Sequence, residues 1–422
     1  MKFAKVAFLA FVAVLMAIGV STTAYAFHSG GVAECEGCHS MHSPKAGGSR
    51  LLVGSDPSST CLSCHEHAGD TGPSSYHVST ADADMTTGGP LQRTPGGDFG
   101  WVKKTWSATK DPANKHGHNI IALDQLYSAD PTNVYAPGSD NVFVSSQLGC
   151  QSCHDPHGQT RRTLSGFQRG GVIGQAVLPI KASGSYNTSP EPTATDAVGV
   201  YRILRGAGDT YQGVTFNAVP IAIAPSTYNQ SEATDQVRVA YGASGGNTWG
   251  NWCGTCHADM HSGNGNYVHP IDRALSASNI ASIYNAYVKS GDLTGTSANA
   301  FTSLVPFAEA TGDYAVLKSH ASNTNAFLSG PSTSDQVTCV SCHRAHASGT
   351  PEMLRFTYHY EFMTVNSNYI GIDNPAIPDS PRLADQTLSR PMGEWKKALY
   401  DRPASQFASY QRVLCNKCHA KD

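Results

Sequence analysis

All twelve cysteines of the 422-residue chain stand in one kind of unit: two cysteines three positions apart, with a histidine directly after the second. The units are Cys35, Cys38 and His39; Cys61, Cys64 and His65; Cys150, Cys153 and His154; Cys253, Cys256 and His257; Cys339, Cys342 and His343; and Cys415, Cys418 and His419. Two thiols at this spacing reach the two vinyl groups along one side of a porphyrin. The adjacent histidine then lies against the iron as an axial ligand. C-x-x-C-H is the attachment signature of a c-type haem. Redox-active thiol pairs use C-x-x-C without needing the histidine. Zinc ribbons pair two such units and do not require a histidine after each. Disulfides, the usual fate of paired cysteines in an exported chain, would leave the histidines unexplained. The reading is six haem c, with His39, His65, His154, His257, His343 and His419 as proximal ligands.

Six irons need six further axial ligands if all are six-coordinate. The remaining twelve histidines are His28, His42, His67, His77, His116, His118, His157, His261, His269, His320, His346 and His359. His42, His157 and His346 each follow a motif histidine by three residues. At that distance none can reach the far face of its own haem, so each must serve a different iron. His118, His269 and His320 are well separated from any motif, where a loop can carry them over a porphyrin, and they complete the first set of distal candidates. His28, His77 and His261 form a second set. His67, two residues after His65, has no readable direction. Met41 and Met260 are possible ligands that would raise a potential. With histidine so plentiful, bis-histidine ligation is expected throughout, at lower potentials than His/Met ligation gives. An iron held on both faces has no position open for substrate, so it transfers electrons and is not expected to be an enzyme. A multihaem nitrite or hydroxylamine oxidoreductase would need an open haem. A monomeric periplasmic shuttle would share all of this ligand chemistry.

The elements that must position these groups are only partly legible. Residues 1–26 open with Lys2 and Lys5, run apolar from Val6 to Val20 and end Ala24-Tyr25-Ala26, the order of a secretory signal peptide. The apolar run falls short of a spanning helix, so residues 27–422 are expected to be one secreted hexahaem unit. Net charge is −3, with no basic patch to suggest nucleic acid. With 41 Gly and 23 Pro and only 14% charged residues, the composition is that of a loop-rich chain. The expected fold is mostly coil with short helices and few strands, packed around haems that supply much of the interior. Residues 159–251 hold no cysteine or histidine and read as loops and short strands, including Val214 to Ile223. Residues 280–289, 300–320 and 392–415 show helical apolar spacing, the last broken at Pro403. Motifs begin at 35, 61, 150, 253, 339 and 415 with no exact repeat between them.

Five segments carry a family resemblance: Phe27–His39, His67–His77, Thr94–Lys104, Cys342–Gly349 and Leu414–Asp422. They closely resemble the OmcS-type hexahaem outer-surface cytochromes of Geobacter-like bacteria, along the whole mature chain. The resemblance implies polymerisation into extracellular filaments, with haems in a continuous stack. Electrons would enter from periplasmic or outer-membrane cytochromes and leave to iron(III) oxides, electrodes or partner cells. It also implies that His42 crosses the subunit interface to the iron of the fifth motif in the adjacent protomer. His116 and His359 have no counterpart in the family and are left out of the ligand set. Ser43 to Ser59 departs from the family more than its flanks do.

Overall fold

The computed structural model describes residues 28, 35–42, 45, 51–67, 76–85, 88–103, 105–106, 110–139, 141–170, 177–262, 269–377 and 383–419. The expected signal peptide lies outside the described residues, and only the backbone of His261 is described. Among the described residues no helix is long and apolar enough to cross a membrane.

Irregular chain dominates, punctuated by helices of four to nine residues. Most haem motifs wind into one such helix, and local chemistry sets the turn. Asp56 caps Pro57–His65 by accepting from the Ser59 amide at 2.9 Å, and Pro57 sits at the first turn, where its missing N–H costs nothing. In Cys150–Cys153 and Cys339–Cys342 a motif serine reaches back instead. Ser152 Oγ accepts from the Gly149 amide at 3.0 Å, and Ser341 Oγ from the Thr338 amide at 3.1 Å. The motif-histidine amide donates to the carbonyl of its first cysteine at His39 (2.8 Å), His154 (2.9 Å), His257 (3.1 Å), His343 (3.0 Å) and His419 (3.1 Å). His154 and His343 then turn to extended backbone, which ends the helix and swings each ring clear of it.

Strands are short. Thr160–Thr163 pairs antiparallel with both Gly166–Arg169 and Val198–Gly199. Ala240–Gly242 pairs antiparallel with Ile221–Ile223 and parallel with Ala308–Glu309. Residues 214–215 and 221–223 are strands, as the apolar run there suggested. The helical expectations hold only in part. Ile280–Ala286 is helical, but of 300–320 only Tyr314–His320 is. Pro306 and Gly312 interrupt that stretch, and the helix begins where Asp313 can cap it, accepting from the Ala315 amide at 2.8 Å. Met392–Ala398 ends well before Cys415, because Tyr400 and Asp401 turn left-handed (φ 58° and 63°) ahead of Pro403.

The chain builds more side-chain core than its composition suggested. One apolar cluster gathers Tyr284, Phe301, Leu304, Phe307, Met363 and Trp395. A second gathers Tyr201, Phe216, Tyr241, Trp249 and Trp252, and partly buried Cys153 and Cys253 pack against it. The second cluster therefore forms a wall beside the third and fourth motifs.

Candidate haem-binding centres

The motifs follow one another in space in their sequence order. Cys38 lies beside Cys61 and Cys64, Cys153 beside Cys253 and Cys256, and Cys342 beside Cys415 and Cys418. The other junctions are tighter. The first cysteines of the second and third motifs, Cys61 and Cys150, lie close together, as do Cys253 and Cys339 of the fourth and fifth. The helices bearing these pairs pack against each other. Cys35 and Cys415, the first cysteines of the first and last motifs, are exposed.

Four histidine pairs stand at a separation with a direct chemical meaning. Ring centroids lie 5.9 Å apart for His28 and His65, 6.1 Å for His118 and His257, 6.2 Å for His154 and His346, and 6.1 Å for His269 and His419. Each pair joins a motif histidine to one outside the motifs. A first-row metal sits about 2 Å from an imidazole nitrogen, taking the zinc value. Two such bonds plus the depth of two half-rings come to about 6 Å, so one iron fits between each pair.

Hydrogen bonding selects the nitrogen that would meet it. Motif Nδ1 atoms face backbone carbonyls: His65 to Tyr76 at 3.1 Å, His154 to Arg202 at 2.7 Å, His257 to Pro137 at 2.8 Å and His343 to Glu352 at 2.8 Å. His118 Nδ1 donates likewise to Ala345 O at 2.7 Å. With the proton held on Nδ1, Nε2 keeps its lone pair for a metal. Burial works in the same direction by disfavouring the imidazolium. It lowers His118 and His154 to about 4 and His346 to about 3, with neighbouring histidines adding to the effect. Burial also lowers His28, His65, His257 and His343. Among the described residues the buried Nδ1 atoms of His28 and His346 meet no hydrogen-bond partner. The donor sets thus fit bis-histidine haem, with thiols, neutral imidazoles and oriented rings all in place.

A repeated strap holds three motif histidines. Leu52, Leu204 and Leu354 form antiparallel bridges with His39, His154 and His343. In each strap the next amide donates to the second motif cysteine: Val53 to Cys38 O (3.0 Å), Arg205 to Cys153 O (2.8 Å) and Arg355 to Cys342 O (2.8 Å). In each, the preceding aliphatic residue is left-handed, Leu51 at φ 55°, Ile203 at 47° and Met353 at 60°. Such backbone is costly for these side chains and persists only where the surroundings enforce it. The strapped motifs are those with a histidine three residues on. The structure therefore contains a two-motif repeat that the uneven spacing hid. Its sequence trace is an aliphatic residue before leucine, at Leu51-Leu52, Ile203-Leu204 and Met353-Leu354.

Not every expected ligand stands opposite a motif histidine. His118, His269 and His346 do, and so does His28 from the second set. His42 is exposed. His157, with 72% of its side chain exposed, lies 3.9 Å from Asp155. His320 faces no motif histidine among the described residues, and a helix rather than a loop carries it. It ends a helix, donates from Nδ1 to Glu309 at 2.6 Å and stacks on Phe327 at 3.9 Å. His77 is buried beside Tyr76 and within electrostatic reach of His65. His359 stacks on Tyr358. Among the described residues no cluster of three or more acidic, cysteine or histidine side chains forms a separate metal site.

No family model matches the chain. The chain is 50% identical to the C-type cytochrome OmcS of Geobacter sulfurreducens over 94% of its own length and 95% of that protein's. Its fold matches two solved filament structures, OmcS nanowires and the outer membrane cytochrome S filament of the same organism. Each match has a TM-score of 0.81 and 49% identity, and covers 94% of this chain and 100% of the other.

Proposed function

Because the chain belongs to the OmcS family of c-type cytochromes, we propose that it attaches six haems and joins its own copies into a filament that conducts electrons outside the cell. Periplasmic or outer-membrane cytochromes act as donors. Iron(III) oxides, electrodes or partner cells act as acceptors. The protein is a carrier and not an enzyme, secreted behind residues 1–26 to the cell outer surface.

The observation that carries this reading is the set of four imidazole pairs near 6 Å, each drawn from one motif and one distant segment. A haem supplies a one-electron couple at its iron; the chain's part is to hold both axial nitrogens and exclude an open site. The pairs obey a rule. For even motifs the distal histidine lies upstream of the preceding motif: His28 for the second, His118 for the fourth, His269 for the sixth. For the third motif it is His346, three residues past the histidine of the motif two places on. The same rule gives the iron beside His39 to His157. It gives the iron beside His343 to the histidine that would follow two motifs later, which is His42 of the partner subunit. All six irons are then bis-histidine, and His67, His77, His261 and His320 serve none.

The ends of the chain support polymerisation. Cys61 meets Cys150 and Cys253 meets Cys339 inside the protein. Cys415 and Cys35 are the next pair in this series, and both are exposed. Met41, beside His42, is 78% exposed. Subunits abutting from sixth motif to first would repeat the internal junction.

Cryo-electron microscopy of material sheared from the cell surface tests the proposal. Helical filaments with six haems per subunit and His42 reaching across the interface are expected. Only monomers, recovered from the periplasm, would leave a soluble shuttle in its place.

A further inference from the structure

His116 was set aside as a ligand, yet it is completely buried two residues from His118. Its Nε2 lies 2.7 Å from Asp111 Oδ1 and its Nδ1 2.8 Å from the Ser348 carbonyl. Each ring nitrogen is thus held from a fixed direction by an acceptor. Asp111 is tied in turn to Arg390, whose Nη1 donates to Oδ2 at 3.1 Å and to the Gly349 carbonyl at 2.5 Å. Arg390 Nε donates to Glu394 at 2.9 Å. Burial would push the Asp111 carboxyl up, but His116 and Arg390 together bring it below its ordinary value. The carboxylate is therefore ionised and bridges two donors in a fully buried site.

The cluster joins two segments far apart in sequence. The Ser348 amide donates to His116 O at 2.9 Å, Gly117 bridges Ala347, and the His118 amide donates to His346 O at 3.0 Å. His118 Nδ1 then donates to Ala345 O. One ribbon thus carries His118, opposite His257, and the other carries His346, opposite His154. We infer that His116, clamped between Asp111 and Ser348, is a positioning residue that fixes the ring orientations of His118 and His346 together, and so the ligand geometry of two neighbouring haems. The inference rests on the bis-histidine reading above.

The test is electron paramagnetic resonance of the fully haem-loaded protein, comparing the wild type with His116→Leu, His116→Gln and Asp111→Asn. Low-spin ferric signals report the angle between the two axial imidazoles. Six bis-histidine low-spin signals in the wild type establish the underlying reading; their absence would fail that reading and not the clamp alone. His116→Leu should shift two of the six signals and leave four unchanged. The reduction equilibria of the same two haems should move by about three- to tenfold, 59 mV per tenfold for one electron. Asp111→Asn should shift the same two, and His116→Gln, which can still donate one hydrogen bond, should restore part of the wild-type pattern. A spectrum identical to wild type in both His116→Leu and Asp111→Asn would overturn the inference. So would a uniform shift of all six signals, or loss of haem in all three variants.

Discussion

Gly117→Ala isolates the junction between the two ligand-bearing ribbons. Gly117 lies at φ −178°, ψ −172°, extended backbone that alanine adopts without strain. The cost is therefore steric. An added Cβ would sit 2.4 Å from Ala347 Cβ and 2.5 Å from the His346 carbonyl oxygen. Carbon atoms pack at about 3.5–4.0 Å, so the ribbons must part by about 1 Å. Two hydrogen bonds flank the contact, His118 N to His346 O at 3.0 Å and Ser348 N to His116 O at 2.9 Å. Lengthened by that much, neither remains a good bond. Each contributes about 1 kcal/mol, and overpacking a tight site typically costs about 1–3 kcal/mol. A destabilisation of about 3–5 kcal/mol follows, severe but within the reserve of a folded domain. Gly393→Ala is the control. Gly393 lies inside the helix Met392–Ala398 with nothing within 4 Å of its virtual Cβ. Alanine there should be neutral or stabilise by up to about 1 kcal/mol. The assay is guanidinium unfolding of the two haem-loaded variants side by side, followed by loss of the low-spin Soret spectrum. Gly117→Ala should unfold at clearly lower denaturant. Midpoints equal within error would refute the close approach of residues 117 and 347 and the coupling argued from it.

Four further outcomes are expected. His42→Ala should abolish long filaments and leave one iron per chain five-coordinate, seen by negative-stain microscopy and resonance Raman; intact filaments would contradict ligation across the interface. His157→Ala should also free one iron, but filaments should still form, because its iron lies within the same chain; an unchanged low-spin spectrum would remove His157 from the ligand set. Denaturing mass spectrometry should find six haems still attached per chain, and any smaller number would mean that at least one C-x-x-C-H unit is unused. The fourth concerns acid. The folded-state values of His118 and His154, about 4, lie below the unfolded value of about 6.5. The unfolded chain therefore binds more protons between these limits. The stability contributed by the neutral rings is complete above about pH 6.5 and is lost as pH falls through about 4. Iron at Nε2 adds to burial in holding these rings unprotonated, so low-spin ligation, read in the Soret band, should persist at least to about pH 4, and loss near pH 6 would refute the assignment.

The attachment motifs stand out in the sequence because the chemistry they imply is rigid: two thioethers and an adjacent ligand permit little variation in spacing. Distal ligands carry no such constraint. His118 and His346 come opposite His257 and His154 through a tertiary junction between residues 116–118 and 345–348, which no local pattern encodes. His320 has the same isolation in sequence as His269, yet among the described residues only His269 comes opposite a motif histidine, while His320 stacks on Phe327. The helix over 300–313 failed for a related reason. Phe301, Leu304, Val305 and Phe307 have helical spacing, yet all four are buried in an irregular segment. In a coil-rich protein, apolar spacing marks burial without fixing backbone shape. His116 shows the converse. Nothing in the sequence distinguishes it from a surface histidine, and its role becomes visible only once Asp111 and Arg390 are brought beside it.

The two-motif repeat bears on where one molecule ends and the next begins. If the seam between the sixth and first motifs repeats those between the second and third and between the fourth and fifth, the chain termini mark no special place along the electron path. A circularly permuted chain, opened ahead of the third motif and joined across the old termini, would lay down the same wire with its breaks moved by one third of the repeat. The unit of conduction is then the pair of haems and not the polypeptide, and a gene encoding two, three or four such pairs would yield fibres of the same local architecture.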